Sequence, residues 1–321
     1  MAKAWTWWAG AGASAAAALA AGAALATAGG PERSPAQLEA QALLVRRGEG
    51  AAGEIYRVPL DGGPPTRLTR NRASDYFPVA SPDGGRIAFV SDRGGDDDIW
   101  VMEADGSRPR VLTRDAPRGH APAPLDTAPA WSPDGRRIAF ASDRAGGDPQ
   151  IYVMNADGTG LRRLTRTART VFDTTPAWSP DGRRIVFASS RAGYFNLELF
   201  SMRADGTGVR RLTRTVGGHS VLGDDATPSY APDGLRIAFA SNRDQNNEIY
   251  VMAEDGSGQR RLTRTARADD LLPRFSPDGT RIAFASAGRT GASRVIVMGA
   301  DGSAPRALGP GAEPSWIPDP V

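Results

Sequence analysis

The residues whose types and spacing could do chemistry are few. They are two histidines, His120 and His219, and five aspartates in a recurring Asp-x-x-Pro context, Asp75, Asp126, Asp173, Asp225 and Asp270. Histidine with carboxylates is the donor set of a transition-metal site and of general acid–base catalysis. The histidines, however, sit in the loops 115–125 and 215–224, which lead into repeats that are not neighbours. Two imidazoles also fall short of the three or four ligands a metal usually takes, so they read as solvated loop residues and no metal site is assigned. The aspartates have two readings, compatible in part. Each can hydrogen-bond local backbone N–H groups or pair with the arginine of a Ser-x-Arg segment, Arg93, Arg144, Arg191 or Arg243. Alternatively they form a ring of carboxylates around a channel mouth, attracting a cationic group or a hydrated Ca²⁺. These aspartates, arginines and histidines are the candidate binding residues of one face. The run Gly94 to Asp98, GGDDD, lacks the spacing of a calcium loop and reads as a turn between strands.

Other chemistries are excluded by what the 321 residues lack. There is no cysteine, hence no disulfide, thiolate nucleophile or Cys-type zinc site. No G-x-S-x-G marks a nucleophile elbow, and the only lysine is Lys3, which leaves no phosphate-binding P-loop. The net charge of +3 comes from arginines spread once or twice per repeat, a solvated rim rather than a nucleic-acid patch. No catalytic residue and no cofactor are assigned, apart from the Ca²⁺ that a carboxylate ring at the channel mouth could hold.

The elements that position these residues come from a repeat. DTAPAWSPDGRRIAFASDR (126–144) returns 47 residues later as DTTPAWSPDGRRIVFASSR (173–191). The turn SPDG starts at Ser81, Ser132, Ser179 and Ser276, with APDG at Ala231. A second turn, Asp-Gly, falls at Asp61, Asp105, Asp157, Asp205, Asp255 and Asp301, so six second turns face five first turns. The missing partner is Pro314 to Asp319, which reads like the opening of a unit that then stops. A period of about 40 to 50 residues holding several short strands is that of a propeller built of four-stranded blades. In blade 3 the strands are expected at 127–132, 136–142, 150–155 and 161–166. RIAFAS and IYVM lack polar alternation, as strands pressed between two sheets should. The expected fold is all-β: a six-bladed β-propeller over 42–321, closed by a split blade whose innermost strand comes from 311–319 and whose other three come from 42–70. Arginine and threonine on the outer strands discourage edge pairing, and a monomer is expected.

Together these segments, Asp-x-x-Pro-x-aromatic-Ser-Pro-Asp-Gly, Ser-x-Arg, Ile-Tyr-Val-Met, Ala-Asp-Gly and Arg-Leu-Thr, resemble the TolB-type propeller, a WD40-like repeat family, across residues 42–319. The pattern departs at Ala80, in place of the aromatic, at Ala287-Gly288-Arg289, in place of Ser-x-Arg, and at Gly311, in place of the Asp. The resemblance is to the propeller alone, since the α/β domain that precedes it in TolB has no counterpart in residues 29–41. It implies a non-catalytic binding module whose partner is a protein or a cell-envelope polymer, not nucleic acid, engaged by the face that carries the aspartates and the two long loops. An alternative is the metal-dependent oligouronide lyases that share this propeller, but as a class they use a His-rich metal site.

Residues 1–28 hold Lys3 and then an Ala-rich apolar run ending Ala26-Thr27-Ala28, the layout of a secretory signal peptide. The run is also long enough to act as an uncleaved anchor, with Trp5, Trp7 and Trp8 at an interface, and that would be the only membrane contact. Residues 29–41 form a linker, and the body is expected to be exported to the periplasm or cell envelope. N-terminal sequencing of protein from its host should begin at or near Gly29; a cytoplasmic product that retains Met1 would overturn the export reading.

Overall fold

In the computed structural model, residues 42–48, 53–114, 123–193, 196–215, 224–288 and 292–318 are described. The expected export segment 1–28 and linker 29–41 lie outside them, as do His120 and His219. The described chain is all strand and turn, folded as six four-stranded antiparallel sheets, which are the blades of a propeller.

Blade 3 shows how the sequence builds one unit. Its innermost strand, Asp126–Trp131, pairs with Arg137–Ser142, which pairs with Gln150–Asn155, and the outer strand is the two-residue Arg162–Arg163. That outer ladder is shorter than the expected 161–166 because threonine takes over. Leu164 and Thr165 both donate N–H to the Ile151 carbonyl, while Ile151 N–H donates to Thr165 Oγ1 at 3.0 Å. The Ser-Pro-Asp-Gly turn locks itself: Ser132 Oγ donates to Asp134 Oδ1, which also accepts the Arg136 N–H, and Gly135 supplies the φ of 66° that the turn requires. In the Asp-Gly turn the glycine is needed for contact as well. A Cβ on Gly106 would lie 2.5 Å from the Leu68 carbonyl of the preceding blade, and one on Gly256 would lie 2.4 Å from that of Leu212.

The second and third strands are buried on both faces, so each blade needs a neighbour on each side. Six apolar clusters fill the gaps between blades. One joins Ala88, Val90, Ile99 and Val101 of blade 2 to Ile138, Phe140 and Tyr152 of blade 3. Phe89, Phe140, Phe187 and Phe239 are fully buried beside the small Ala88, Ala139, Val186 and Ala238, which gives the sheets their taper. Polar clasps reinforce these seams. Trp131 Nε1 donates to the Val79 carbonyl at 3.1 Å, and the Arg86 guanidinium of blade 2 lies over the Trp131 ring. Farther out, Arg110, Arg162 and Arg260 donate to the Asp157, Asp205 and Asp301 carbonyls of the next blade. Blade 2 has Ala80 where the others carry an aromatic, and its seam with blade 1 keeps Phe89 and the third-strand aromatic, Trp100, which stands where blades 3, 4 and 5 have Tyr152, Phe200 and Tyr250.

The ring closes as the repeat count requires. Ala312–Trp316 lies against Ala42–Arg47, with Leu43 opposite Trp316 and Leu44 opposite Ser315, in the sheet that continues through Glu54–Pro59 to Thr66–Arg67. Ile317 N–H donates to the Ala42 carbonyl at 3.2 Å. Deleting residues 311–321 should lower the thermal midpoint sharply. It uncovers Leu43 and Leu44 and removes Trp316 and Ile317, large side chains worth about 1.5–3 kcal/mol each when buried. An unchanged melting curve would show that the last strand adds nothing to closure.

Candidate binding face

Strand direction brings the outer-to-innermost and the second-to-third connections to one end of the ring, and among the described residues the opposite end carries the Ser-Pro-Asp-Gly and Asp-Gly turns. On the loop end each innermost strand carries a bulge. In blade 3 the register runs Thr127 opposite Ala141, then Ala130 opposite Ala139, so two residues face one. The extra residue is left-handed in all six blades, with φ of 48–58° at Phe77, Ala128, Thr175, Thr227, Leu272 and Glu313. Each of these precedes a proline, which ordinarily favours extended backbone, so the same local cost is repeated six times around the axis. Five of these residues, Thr227 excepted, line the axial channel together with Arg274.

The aspartate before each bulge is held in place rather than presented. Asp75, Asp126, Asp173 and Asp225 are each 0% exposed, and each pairs with the arginine of its own blade's Ser-x-Arg segment. The N···O distances are 2.8 Å to Arg93, 2.5 Å to Arg144, 2.8 Å to Arg191 and 2.9 Å to Arg243. The serine of that segment orients the arginine, since Ser91, Ser142, Ser189 and Ser241 Oγ each accept its Nε–H at 2.8–2.9 Å. Two aromatic rings flank the guanidinium, Phe187 and Phe200 around Arg191 and Phe239 and Tyr250 around Arg243. The aspartate's own N–H reaches back to the preceding blade, as in Asp126 to the Asp97 carbonyl at 2.8 Å. One motif therefore fixes the bulge, the second strand and the adjoining blade at once. A cation at the channel mouth would have to draw these carboxylates away from their arginines.

Asp270 stands apart. In blade 6 Ser286 keeps the serine's place opposite Asp270, but Ala287 and Gly288 follow it where the other blades have one residue and then the arginine, and Arg289 lies outside the described residues. Asp270 Oδ2 accepts from Thr265 Oγ1 at 3.0 Å, but Oδ1 is buried with no hydrogen-bond partner. Burial pushes its carboxyl above the usual carboxylate range, as it does that of Asp126, whose Oδ1 is likewise unpartnered, so what distinguishes Asp270 is that no arginine answers it among the described residues.

A second latch escapes the motif reading. In blades 1 to 5 the residue that opens the third strand bonds to a threonine two residues past the outer strand. Glu198 Oε1 accepts Arg211 Nη2 at 2.8 Å and the Thr215 N–H at 2.7 Å, while its Oε2 accepts the Thr213 hydroxyl. Glu54 and Glu248 repeat this with Thr69 and Thr263, Gln150 substitutes for the acid with Thr165, and Asp98 meets Thr113 at 3.1 Å. The signal was present as an acid or amide before Ile or Leu and an aromatic, 15 residues upstream of that threonine. Asp98, the last residue of GGDDD, thus belongs to a strand, behind a turn closed by Gly95 N–H to the Asp92 carbonyl. Among the described residues, no group of three or more His, Asp or Glu side chains is arranged to hold a metal.

A closed ring of latched four-stranded blades, with short turns at one end and unequal loops at the other, defines a six-bladed propeller scaffold. This chain belongs to the TolB beta propeller domain family, whose pattern matches residues 119–221 and 218–319. It is 32% identical to the Tol-Pal system protein TolB of Desulfosudis oleivorans over 134 residues, 42% of this chain and 28% of that protein. It is 42% identical to the Tol-Pal system protein TolB of Anaeromyxobacter dehalogenans over 135 residues, 41% of this chain and 28% of that protein. The chain thus matches less than a third of the length of these relatives. The crystal structure of TolB from Acinetobacter baumannii superposes with a TM-score of 0.69 at 24% identity, covering 86% of this chain and 66% of that one, and shows the same fold.

Two substitutions separate latch from unpaired acid. Asp173→Asn strands Arg191 and should cost about 3 kcal/mol, the lower end for breaking a buried pair, because the arginine is partly exposed. Asp270→Asn should leave the midpoint unchanged or raise it at neutral pH. A carboxyl whose folded pKa is raised destabilises once ionised, so this gain should begin to fade as pH falls through that raised pKa and be gone at the ordinary carboxylate value of the unfolded chain. Thermal melts across the acid range check both, and equal losses from the two variants would refute the distinction.

Proposed function

We propose that this chain is an exported, non-catalytic interaction module of the bacterial cell envelope that takes a protein partner on its loop face. Family membership and the relatives described as Tol-Pal system proteins support a protein-binding role in the envelope. The observation that carries the choice of face is the contrast between the two ends of the ring. At the turn end, Asp83, Asp134, Asp181 and Asp278 spend their oxygens on their own turns, and the turns are alike from blade to blade. The loop end is held by two buried latches per blade in most blades, while the connections above them differ in length and sequence, the arrangement in which recognition resides on a rigid scaffold. The candidate aspartates and arginines then serve binding indirectly, by fixing where each loop begins. Loops 115–125 and 215–224, with His120 and His219, are the expected contact segments. The propeller acts as a monomer, and no comparison supports the oligouronide lyase reading.

Crosslinking of the tagged protein in its host, followed by identification of partners, should recover Tol-Pal components. Shortening loops 115–125 and 215–224 should reduce that capture with the melting curve preserved, whereas Arg136→Glu or Arg183→Glu on the turn face should leave it intact. Capture that survives loop shortening and fails with the turn-face charges would place the binding surface on the other end.

A further inference from the structure

Arg274 is used by none of the latches. It occupies the position held by Val79, Ala130, Ala177, Ser229 and Ser315 in the other blades, so one blade alone sends a long cation into a channel lined, Glu313 apart, by small or apolar groups. Its Nη1 reaches only the Pro228 and Pro273 carbonyls, at 3.5 and 3.4 Å, both long for hydrogen bonds. No carboxylate among the described residues pairs with it, and burial alone pushes its guanidinium down to about 10. Glu313, also in the channel, does not answer it: its Oε2 accepts the Phe77 N–H at 2.6 Å, and the charge that favours its ionised form is that of Arg46. At the same level of the ring, the hydroxyls of Thr175 and Thr227 are buried without hydrogen-bond partners. Buried cations are ordinarily paired and buried hydroxyls ordinarily bonded, so an unpaired guanidinium in the same channel as the unsatisfied Thr175 hydroxyl marks an incomplete set of interactions.

We propose that the axial channel binds a small monocarboxylate, with Arg274 as its cation and the Thr175 hydroxyl as a further donor. The planar guanidinium fork matches a carboxylate, and arginine is the side chain suited to that pairing away from bulk water. A single unpaired positive charge, with Glu313 in the same channel, neutralises a monoanion but leaves a dianion such as phosphate in excess. The Phe77 N–H already holds a carboxylate here, which shows that the bulged backbone accepts one. The cavity between these groups, about 20 Å³ and open in part to solvent, takes a molecule of only a few atoms.

The test is isothermal titration calorimetry of the full-length protein with sodium acetate in a chloride buffer of matched ionic strength. The wild type and Arg136→Gln, a turn-face control, should bind one acetate. Arg274→Gln should weaken it by about tenfold to a hundredfold, the value of a charge-assisted hydrogen bond. Without acetate that variant should melt at or above the wild-type midpoint, since it loses an unpaired buried charge, which separates lost binding from lost folding. If Arg274→Gln does not fold, Arg274→Lys, which keeps the charge and loses the fork, should still bind more weakly than wild type. Absence of acetate binding by the wild type, equal binding by the Arg274 variants, or equal competition by added chloride would each overturn the proposal.

Discussion

Strands that are apolar on both faces cannot stop at an edge. In this chain the second and third strands of each blade, RIAFAS and IYVM among them, present side chains to both neighbouring sheets, and any open stack would leave two such surfaces in water. A ring is the arrangement that removes both ends, and its last joint is the pairing of Ala312–Trp316 with Ala42–Arg47. The chain's two ends are thereby tied to one blade, and the orientation of every other strand follows. With strand direction fixed, all short turns fall at one end of the ring and all longer connections at the other.

The two ends are stabilised by different chemistry. At the turn end, serine, aspartate and glycine satisfy one another within a few residues, a local solution that needs no partner from elsewhere. At the loop end the chain must leave one blade and start the next, and here buried acids do the anchoring. Asp173 with Arg191 and Glu198 with Arg211 and Thr213 each join groups far apart in sequence but adjacent in the sheet. Buried ion pairs are weak contributors to net stability compared with apolar packing, yet they are costly to break and specific in geometry. That suits a role in setting the bulges and loop origins at the channel, where left-handed residues before proline would otherwise relax.

The same repetition makes departures informative. Asp270 has no arginine partner among the described residues, Gly311 replaces an aspartate, and Arg274 and Glu313 place opposite charges in a channel of otherwise small or apolar groups. None of these is required for the ring, because the other blades close without them. They individualise one sector, around blade 6 and the split blade, within a scaffold that the TolB beta propeller family shares.

Turns and strand burial were legible from the sequence because they are governed over a few residues: Ser-Pro-Asp-Gly sets its own dihedrals, and apolar runs announce double-sided burial. The count of six against five turns even located the joint. The pairing of Asp75, Asp126, Asp173 and Asp225 with the Ser-x-Arg arginines was legible only as one of two readings, since spacing says that residues can meet but not whether they face one another or the axis. The Glu-to-Thr latch and the inter-blade arginine clasps went unread, because charge and threonine on an outer strand look like ordinary solvated rim. The left-handed bulges were hidden as well, as a residue before proline is expected to be extended. Above all, Arg274 is one arginine among many in the sequence, and only the closing of the ring sets it in the channel with no acid beside it. Local dihedral preference and hydrophobic pattern are properties of short segments and can be read there, whereas a charge's partner and its solvation are properties of everything that packs around it.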